Sequence, residues 1–379
     1  MNNWKAFVLK SEIDMRWRID RLIYQKEKSF WIKILLSLLY LLSLPYGGGV
    51  RGRAFLYTIG LKKRKRLPCP VISVGNITIG GTGKTPLVML LARVLRERGI
   101  KIAILSRGYK RKQSSDSLVS DGQSLFLSPE EAGDEPYLMA TALKDVPILV
   151  NKDRFTTGQM ALQRFGVRSL LLDDGYQHLQ LHRDLNILLI DSHIGFGDRH
   201  LLPRGILREP LSHLQRADLF VLTKVEEPKA CLPLEMKLQK IHPRAQVFHS
   251  HYEPIGLISP KGEKEDLQTH RGKKILALSG IANPDYFSSL LRRCGMEVGK
   301  EAIFPDHHFY TTGDLASIEE SSKGMDQVVT TEKDMLKLKN LNIRYLPIQA
   351  LRIEMKIWEE EEFFRRIMQL FPEKEERRG

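Results

Sequence analysis

Three cysteines in 379 residues cannot build a disulfide framework. Cys69, Cys231 and Cys294 lie far apart, show no zinc-ligand spacing, and fit a reducing compartment. No internal repeat is evident, so a solenoid or propeller is not indicated. No unbroken apolar run reaches the roughly 20 residues that a bilayer-spanning helix needs. The longest, Phe30–Leu44, has 15 residues and contains Lys33. It begins too late for a secretory signal. Acidic residues are scarce at the N-terminus: residues 1–66 hold 15 Lys or Arg against 4 Asp or Glu, which is +11 of the chain's +14. A basic balance spread over the chain would suit nucleic acid. Confined to one end beside an apolar run, it suits an anionic membrane surface.

After the polar residues 1–29, the apolar run is expected to stop at Pro45 and Gly47-Gly48-Gly49. A purely basic stretch follows: Arg51, Arg53, Lys62, Lys63, Arg64, Lys65 and Arg66. A buried core helix is one reading. A monotopic helix lying in the membrane interface fits better, because Trp31, Tyr40 and Tyr46 suit that layer and the basic flank suits headgroups. Hydrophobic content of 42% and charged content of 27% belong to a globular chain long enough for two domains.

The rest is organised around Val71–Gly75, an apolar run that reads as a buried strand. Gly80-Gly81-Thr82-Gly83-Lys84-Thr85 follows, then Pro86–Leu95 with helical apolar spacing. Glycines let several backbone N–H groups point into one concavity, and the helix N-terminus adds partial positive charge. Such a loop suits the phosphates of ATP: Lys84 for the β- and γ-phosphates, the Thr85 hydroxyl for Mg²⁺. The strict pattern asks for glycine at position 78, where this chain has Thr78.

From Pro68 to about residue 225, strands and helices alternate. The spacing predicts a mostly parallel α/β sheet of the P-loop NTPase type, helices on both faces, with ligands at the strands' carboxyl ends. Proline-rich residues 226–272 read as a linker region containing the strand Gln246–His249. A second, smaller α/β unit follows. The expected domains are residues 1–66, a membrane-associated helical segment; 67–250, the P-loop core; and 251–379, the smaller C-terminal α/β domain, ending in an amphipathic helix near Trp358–Leu370 and a charged tail.

Asp173 and Asp174 close an apolar strand downstream of the loop, where a carboxylate would hold Mg²⁺ and its waters. Asp134, between Gly133 and Glu135-Pro136, reads as a loop residue; near a γ-phosphate it could take a proton from a hydroxyl, and alone it reads as an ordinary turn residue. Arg107, past the strand Lys101–Ser106, suits phosphate charge or a surface ion pair. His178 either serves the site or packs. His307 and His308 are adjacent on an extended segment and point opposite ways, which argues against a shared metal.

Taken together, Val-Gly-Asn-Ile-Thr-Ile-Gly-Gly-Thr-Gly-Lys-Thr-Pro (74–86), Leu-Ser-Arg-Gly-Tyr (105–109), Gly-Asp-Glu-Pro (133–136), Leu-Asp-Asp-Gly-Tyr-Gln-His (172–178), Leu-Leu-Pro-Arg-Gly-Ile-Leu-Arg-Glu-Pro (201–210), Ser-Gly-Ile-Ala-Asn-Pro (279–284), Phe-Pro-Asp-His-His (304–308) and Thr-Glu-Lys-Asp (331–334) resemble the tetraacyldisaccharide 4′-kinase family over nearly the whole chain. Thr78 is also how that family's loop reads. The resemblance implies transfer of the ATP γ-phosphate to the 4′-hydroxyl of a tetraacylated glucosamine disaccharide 1-phosphate, giving lipid IVA on the cytoplasmic face of the inner membrane. It implies Asp134 as base, supported by His307 rather than His308; Asp173 and Asp174 as the acidic pair; and Glu209 as a nucleotide contact. No obligate protein partner and no nucleic acid is implied. The competing class is a membrane-tethered nucleotide switch or metallochaperone on the same kind of sheet.

Overall fold

The computed structural model describes residues 30–108, 111, 117–343 and 345–372. The polar segment 1–29, Tyr109 of the Arg-Gly-Tyr motif, residues 112–116 and the charged tail past Pro372 lie outside the described residues. The chain divides into two compact units. One holds the described residues up to Tyr252 and those from Met355 onward; the other is Glu253–Glu354.

The first unit contains β1 (Val71–Gly75), β2 (Ile102–Ser106), β3 (Leu118–Ser120), β4 (Ile148–Val150), β5 (Ser169–Asp173), β6 (Leu185–Asp191), β7 (Leu219–Thr223) and the first part of β8 (Gln246–Ile258). Their order is β8-β7-β6-β1-β5-β2-β4-β3. All neighbours are parallel except β3, which runs antiparallel to β4 at the edge. Every residue of β1, β2, β5 and β7 is buried. Alternate side chains point to opposite faces, so both faces of the central sheet are covered. The helices of this unit are α1 (Phe30–Thr58), α2 (Lys84–Glu97), α3 (Pro129–Ala132), α4 (Asp134–Ala142), α5 (Arg154–Phe165), α6 (Leu232–Ile241) and, from the returning C-terminal segment, α10 (Glu360–Met368).

Helix α1 does not stop at Pro45; it continues through all three glycines for 29 residues, roughly 44 Å at 1.5 Å per residue. An interior proline removes one hydrogen-bond donor and usually kinks a helix, and three glycines weaken it. Tertiary contact overrides those preferences. Gly47 lies so close to the body of the unit that a Cβ there would come within 2.7 Å of Leu201 Cδ1. Tyr46 donates its hydroxyl to the Arg208 carbonyl at 2.8 Å, and Tyr40 meets His200 edge-on at 5.7 Å. Only Leu36, Ser43 and Gly47 of the helix are buried; Phe30, Trp31, Leu38, Leu41, Leu42 and Phe55 are exposed. The helix is long and apolar enough to cross a membrane by length and composition, which corrects the 15-residue expectation. It presents an apolar outer face unmatched elsewhere among the described residues.

The second unit has the end of β8, then β9 (Lys264–Glu265), β10 (Lys274–Ser279), β11 (Glu297–Ile303), β12 (Gln327–Thr331) and most of β13 (Ile348–Ile357). Its parallel strands run β11-β10-β12-β13. Helices α7 (Pro284–Arg293), α8 (Thr312–Ser322) and α9 (Glu332–Leu338) complete it, over a core that includes Leu278, Phe304, Ile318, Val328 and Met335.

Two expectations are corrected. Residues 226–272 are not a linker: they form α6, the 13-residue β8, and a hairpin in which Leu257 and Ile258 pair with Glu265 and Lys264. Nor does 251–379 fold as one domain. Strand β13 leaves the second unit at Glu354, and α10 returns to the first. There Phe363 is 0% exposed, its ring 5.1 Å from that of Phe248 on β8. Phe363→Ala should therefore destabilise the first unit by about 3–5 kcal/mol, seen as a lower urea midpoint for that unit's transition.

Candidate active site

Sheet order brings the two sequence motifs together. Strand β1 lies between β5 and β6, with Val74 opposite Asp173. The loop that leaves β1 and the carboxylates that end β5 therefore emerge side by side, where the strand order turns back on itself. Gly83 caps α2 in the left-handed region, φ 87°, and a Cβ there would lie 2.4 Å from the Tyr252 hydroxyl. Glycine is required on both counts.

Asn76 stitches the loop. It is fully buried. Its Nδ2 donates to Thr82 Oγ1 at 2.9 Å, and its Oδ1 accepts from Lys84 Nζ at 3.4 Å and from an Arg208 terminal nitrogen at 3.3 Å. Its carbonyl accepts from Gln177 Nε2 at 2.8 Å. A second layer braces the loop from outside: Arg208 N donates to the Ile77 carbonyl and Ile79 N to that of Ile206, with Thr78 bridged to Leu207. Gly80 and Gly81 form the exposed crest, while Lys84 and Thr85 are half-buried in the first turn of α2.

Three cations surround the acid pair. Arg208 grips Asp174 through both terminal nitrogens, at 3.0 and 3.2 Å. Lys84 Nζ lies 3.7 Å from Asp174 Oδ1. Arg154, at the start of α5, is 4% exposed, and its Nε is without a hydrogen-bond partner among the described residues. Burial pulls Arg154's pKa down; Asp174 pulls it back up, Arg107 lowers it further, and Asp173 again raises it. The two carboxylates separate in character. Burial pushes Asp174 up, but Lys84 and Arg208 together outweigh it and hold the carboxyl at about 2. Burial and the neighbouring Asp174 charge raise Asp173 to about 6. Asp173 Oδ2 accepts from Ser106 Oγ at 3.0 Å; its buried Oδ1 has no partner among the described residues.

That orphaned oxygen is the test of whether Mg²⁺ fits. A hard cation sharing phosphate and water ligands needs only one or two protein oxygens. Asp173 Oδ1, with the Thr85 hydroxyl in the first turn of α2, is such a donor set. Among the described residues no cluster of three His, Cys, Asp or Glu could hold a metal by itself.

The other expected residues fall as follows. Arg107 is exposed just past β2 and acts electrostatically on Arg154. Asp134 is not in a loop: it is the first residue of α4, half-buried, after Gly133 at φ 90°. The short helix α3, with its Ser128–Glu131 capping box, fixes that entry. Glu135, its neighbour, is among the charges that raise Asp173, so this helix start belongs to the acid pair's surroundings. His178 is half-buried, and burial, Arg154 and Arg183 lower it to about 4. Glu209 is buried, and its carboxylate meets Arg216 and His213, which anchors the segment after Arg208.

In the second unit, His308 stacks on Phe304 at 4.8 Å and reaches Asp314 at 3.1 Å; Asp314 is the capping-box residue of α8. His307, at φ 64°, has Lys333 Nζ 3.4 Å from its Nε2, and Lys333 also meets Asp306 at 3.2 Å. His308 is thus committed to local structure, whereas His307 sits in a polar group with Asp306 and Lys333.

A family profile described as Tetraacyldisaccharide-1-P 4′-kinase matches residues 35–372. The chain belongs to this family. Curated tetraacyldisaccharide 4′-kinases of Syntrophus aciditrophicus and Geobacter sulfurreducens are 42% and 40% identical to it, covering 88% and 86% of this chain and 92% and 90% of theirs. The crystal structure titled as the "apo" form of LpxK from Aquifex aeolicus in complex with ATP superposes with a TM-score of 0.71 at 36% identity, covering 89% of this chain and 100% of that one. Family membership decides against the nucleotide-switch reading.

Sequence reasoning missed Asn76, Arg154, Gln177 and Arg208 as parts of this tetraacyldisaccharide 4′-kinase site. All but Arg154 lay inside quoted motifs, and Arg208 is next to the residue chosen in its place. The raised Asp173 gives a test. Above about pH 6 its ionised form is buried at a cost that the unfolded chain, titrating near 3.8, does not bear. Asp173→Asn should raise the melting temperature of the ligand-free protein at pH 8. The gain should shrink as pH falls through 6 and vanish near 4, measured by calorimetry over that range.

Proposed function

We propose that this chain is an ATP-dependent kinase that phosphorylates the 4′-hydroxyl of a tetraacyldisaccharide 1-phosphate, forming lipid IVA for lipid A. The observation that carries the reading is the convergence of Lys84, Arg208 and Arg154 on two carboxylates beside a glycine loop, in a chain of this family.

The roles follow from the chemistry. Gly80–Gly83 and the start of α2 offer backbone N–H groups to the phosphates, and Lys84 adds a mobile charge there. Phosphoryl transfer needs charge placed on the oxygens more than covalent help, and Arg208 and Arg154 supply it. Thr85 and Asp173, with Asp174 beside them, would hold Mg²⁺, which would supply charge neutralisation for the phosphates. Asp134 accepts the proton of the acceptor hydroxyl as that oxygen bonds to the γ-phosphorus and the bond from the γ-phosphorus to the β–γ oxygen breaks, releasing ADP; the proton is later lost to water. Its place at the start of α4, next to Glu135 in the acid pair's field, supports this role. For His307 the support is the family motif and its polar neighbours Asp306 and Lys333.

The lipid acceptor also gives α1 a purpose. Its exposed apolar face and the exposed Lys62, Lys63 and Arg64 suit an anionic membrane, here the cytoplasmic face of the inner membrane, where ATP is available.

The deciding assay is transfer of labelled γ-phosphate from ATP to the lipid disaccharide in mixed micelles. Wild type should label the lipid, and Lys84→Ala should lose turnover by about two orders of magnitude or more while still folding cooperatively. Near-normal activity in that variant would remove the loop from the mechanism. Asp134→Asn keeps shape and removes basicity, so kcat should fall roughly 10²–10⁴-fold with ATP affinity nearly unchanged. Lost ATP affinity with kcat intact at saturation would make Asp134 a nucleotide or metal contact.

A further inference from the structure

The segment His200–Arg208 is a narrow layer with two occupied sides. It is closed on itself: Leu202 N donates to the Leu207 carbonyl and Leu207 N to that of His200. One side pairs with the phosphate loop, through Arg208 N to Ile77 O, Ile79 N to Ile206 O, and the Thr78–Leu207 bridge. The other side receives α1. Tyr40 meets His200, Gly47 abuts Leu201, and Tyr46 donates to the Arg208 carbonyl at 2.8 Å. Arg208 is thus held from three directions: by α1 at its carbonyl, by the phosphate loop at its N–H, and by Asp174 and Asn76 at its guanidinium.

We propose that Tyr46 is a positioning residue for phosphoryl transfer: it ties the membrane helix to Arg208, so that seating α1 in a lipid surface also sets the guanidinium on the acid pair. An anchor alone needs only an apolar outer face. It does not need a tyrosine hydroxyl aimed at the backbone of the residue that grips Asp174, nor a glycine that brings the helix within contact of Leu201. The hydroxyl is the directional part of the contact. Without it the Arg208 carbonyl loses a partner, and the backbone that aims the guanidinium gains freedom. Misplacement of a charge by a fraction of an ångström acts on the transition state more than on binding.

The inference rests on Arg208 acting at the phosphate site, so its test carries a separate arm for that. The full chain is assayed in mixed micelles with saturating ATP and lipid, beside vesicle partition and thermal melting. Tyr46→Phe keeps the ring and should lower kcat about three- to tenfold, the range expected for one lost hydrogen bond, with lipid KM, vesicle partition and melting temperature unchanged. Gly47→Ala, which wedges the helix from Leu201, should show the same pattern. Arg208→Ala should lower kcat further. If Arg208→Ala falls while Tyr46→Phe and Gly47→Ala keep wild-type kcat, or change only lipid KM or partition, α1 is an anchor and the link is wrong. If Arg208→Ala itself leaves kcat unchanged, the inference falls with the role given to Arg208.

Discussion

Two adjacent carboxylates at the end of a buried strand cannot both be ionised there unless cations stand beside them. Asp173 and Asp174 meet that constraint unequally. Asp174 has Arg208 in a two-pronged contact and Lys84 close by, and stays ionised. Asp173 has a serine hydroxyl on one oxygen and, among the described residues, no partner on the other, and rises to about 6. The site therefore carries a charge arrangement suited to completion by a ligand: cations that exceed the bare pair's needs suit phosphate, and an acceptor oxygen held dry suits a divalent ion. Much of the surrounding structure serves this one arrangement. The strand order delivers loop and carboxylates to the same edge, Asn76 locks the loop, and the His200–Arg208 layer aims the guanidinium.

The parallel core was legible because its signals are local. Apolar runs of five residues bounded by polar turns, alternating with helical spacing, specify buried parallel strands with little ambiguity. The phosphate loop was legible for the same reason, since glycines, lysine and threonine are contiguous. Asp173 and Asp174 were legible from their place at a strand end. Arg154 and Arg208 were not, because an arginine's role depends on where its long side chain ends up, and sequence spacing says nothing about that. The partners of Glu209 were hidden by the same gap: its motif does not name Arg216 or His213, which hold its carboxylate.

The second unit was less legible. Its strand β11 is short of apolar residues and neither alternates cleanly nor runs apolar, and β13 alternates apolar and polar residues only from Leu351 on. The C-terminal boundary could not be read because two strands change units partway along their length, β8 near Tyr252 and β13 near Glu354. Strand β8 carries Pro254 and Gly256 just past its transition, yet both lie inside regular strand and not in a linker, and β13 carries neither residue. Composition finds linkers, and here the chain passes from one unit to the other through regular structure.

Helix α1 shows the converse limit. Proline and three glycines are sound stop signals for an isolated helix, where each residue must supply its own stability. In this chain the same residues lie where the helix touches the body of the unit. A Cβ at Gly47 would lie 2.7 Å from Leu201 Cδ1, and Tyr46 beside it makes the hydrogen bond to Arg208. The features that read as the end of an anchor mark its contact with the site. A helix whose weakest stretch by propensity is its docked stretch owes its continuity there to tertiary contact. Its outer face is left apolar while its inner face is fixed to the phosphate-loop layer. An apolar outer face and the geometry of the acid pair are then properties of one continuous piece of chain.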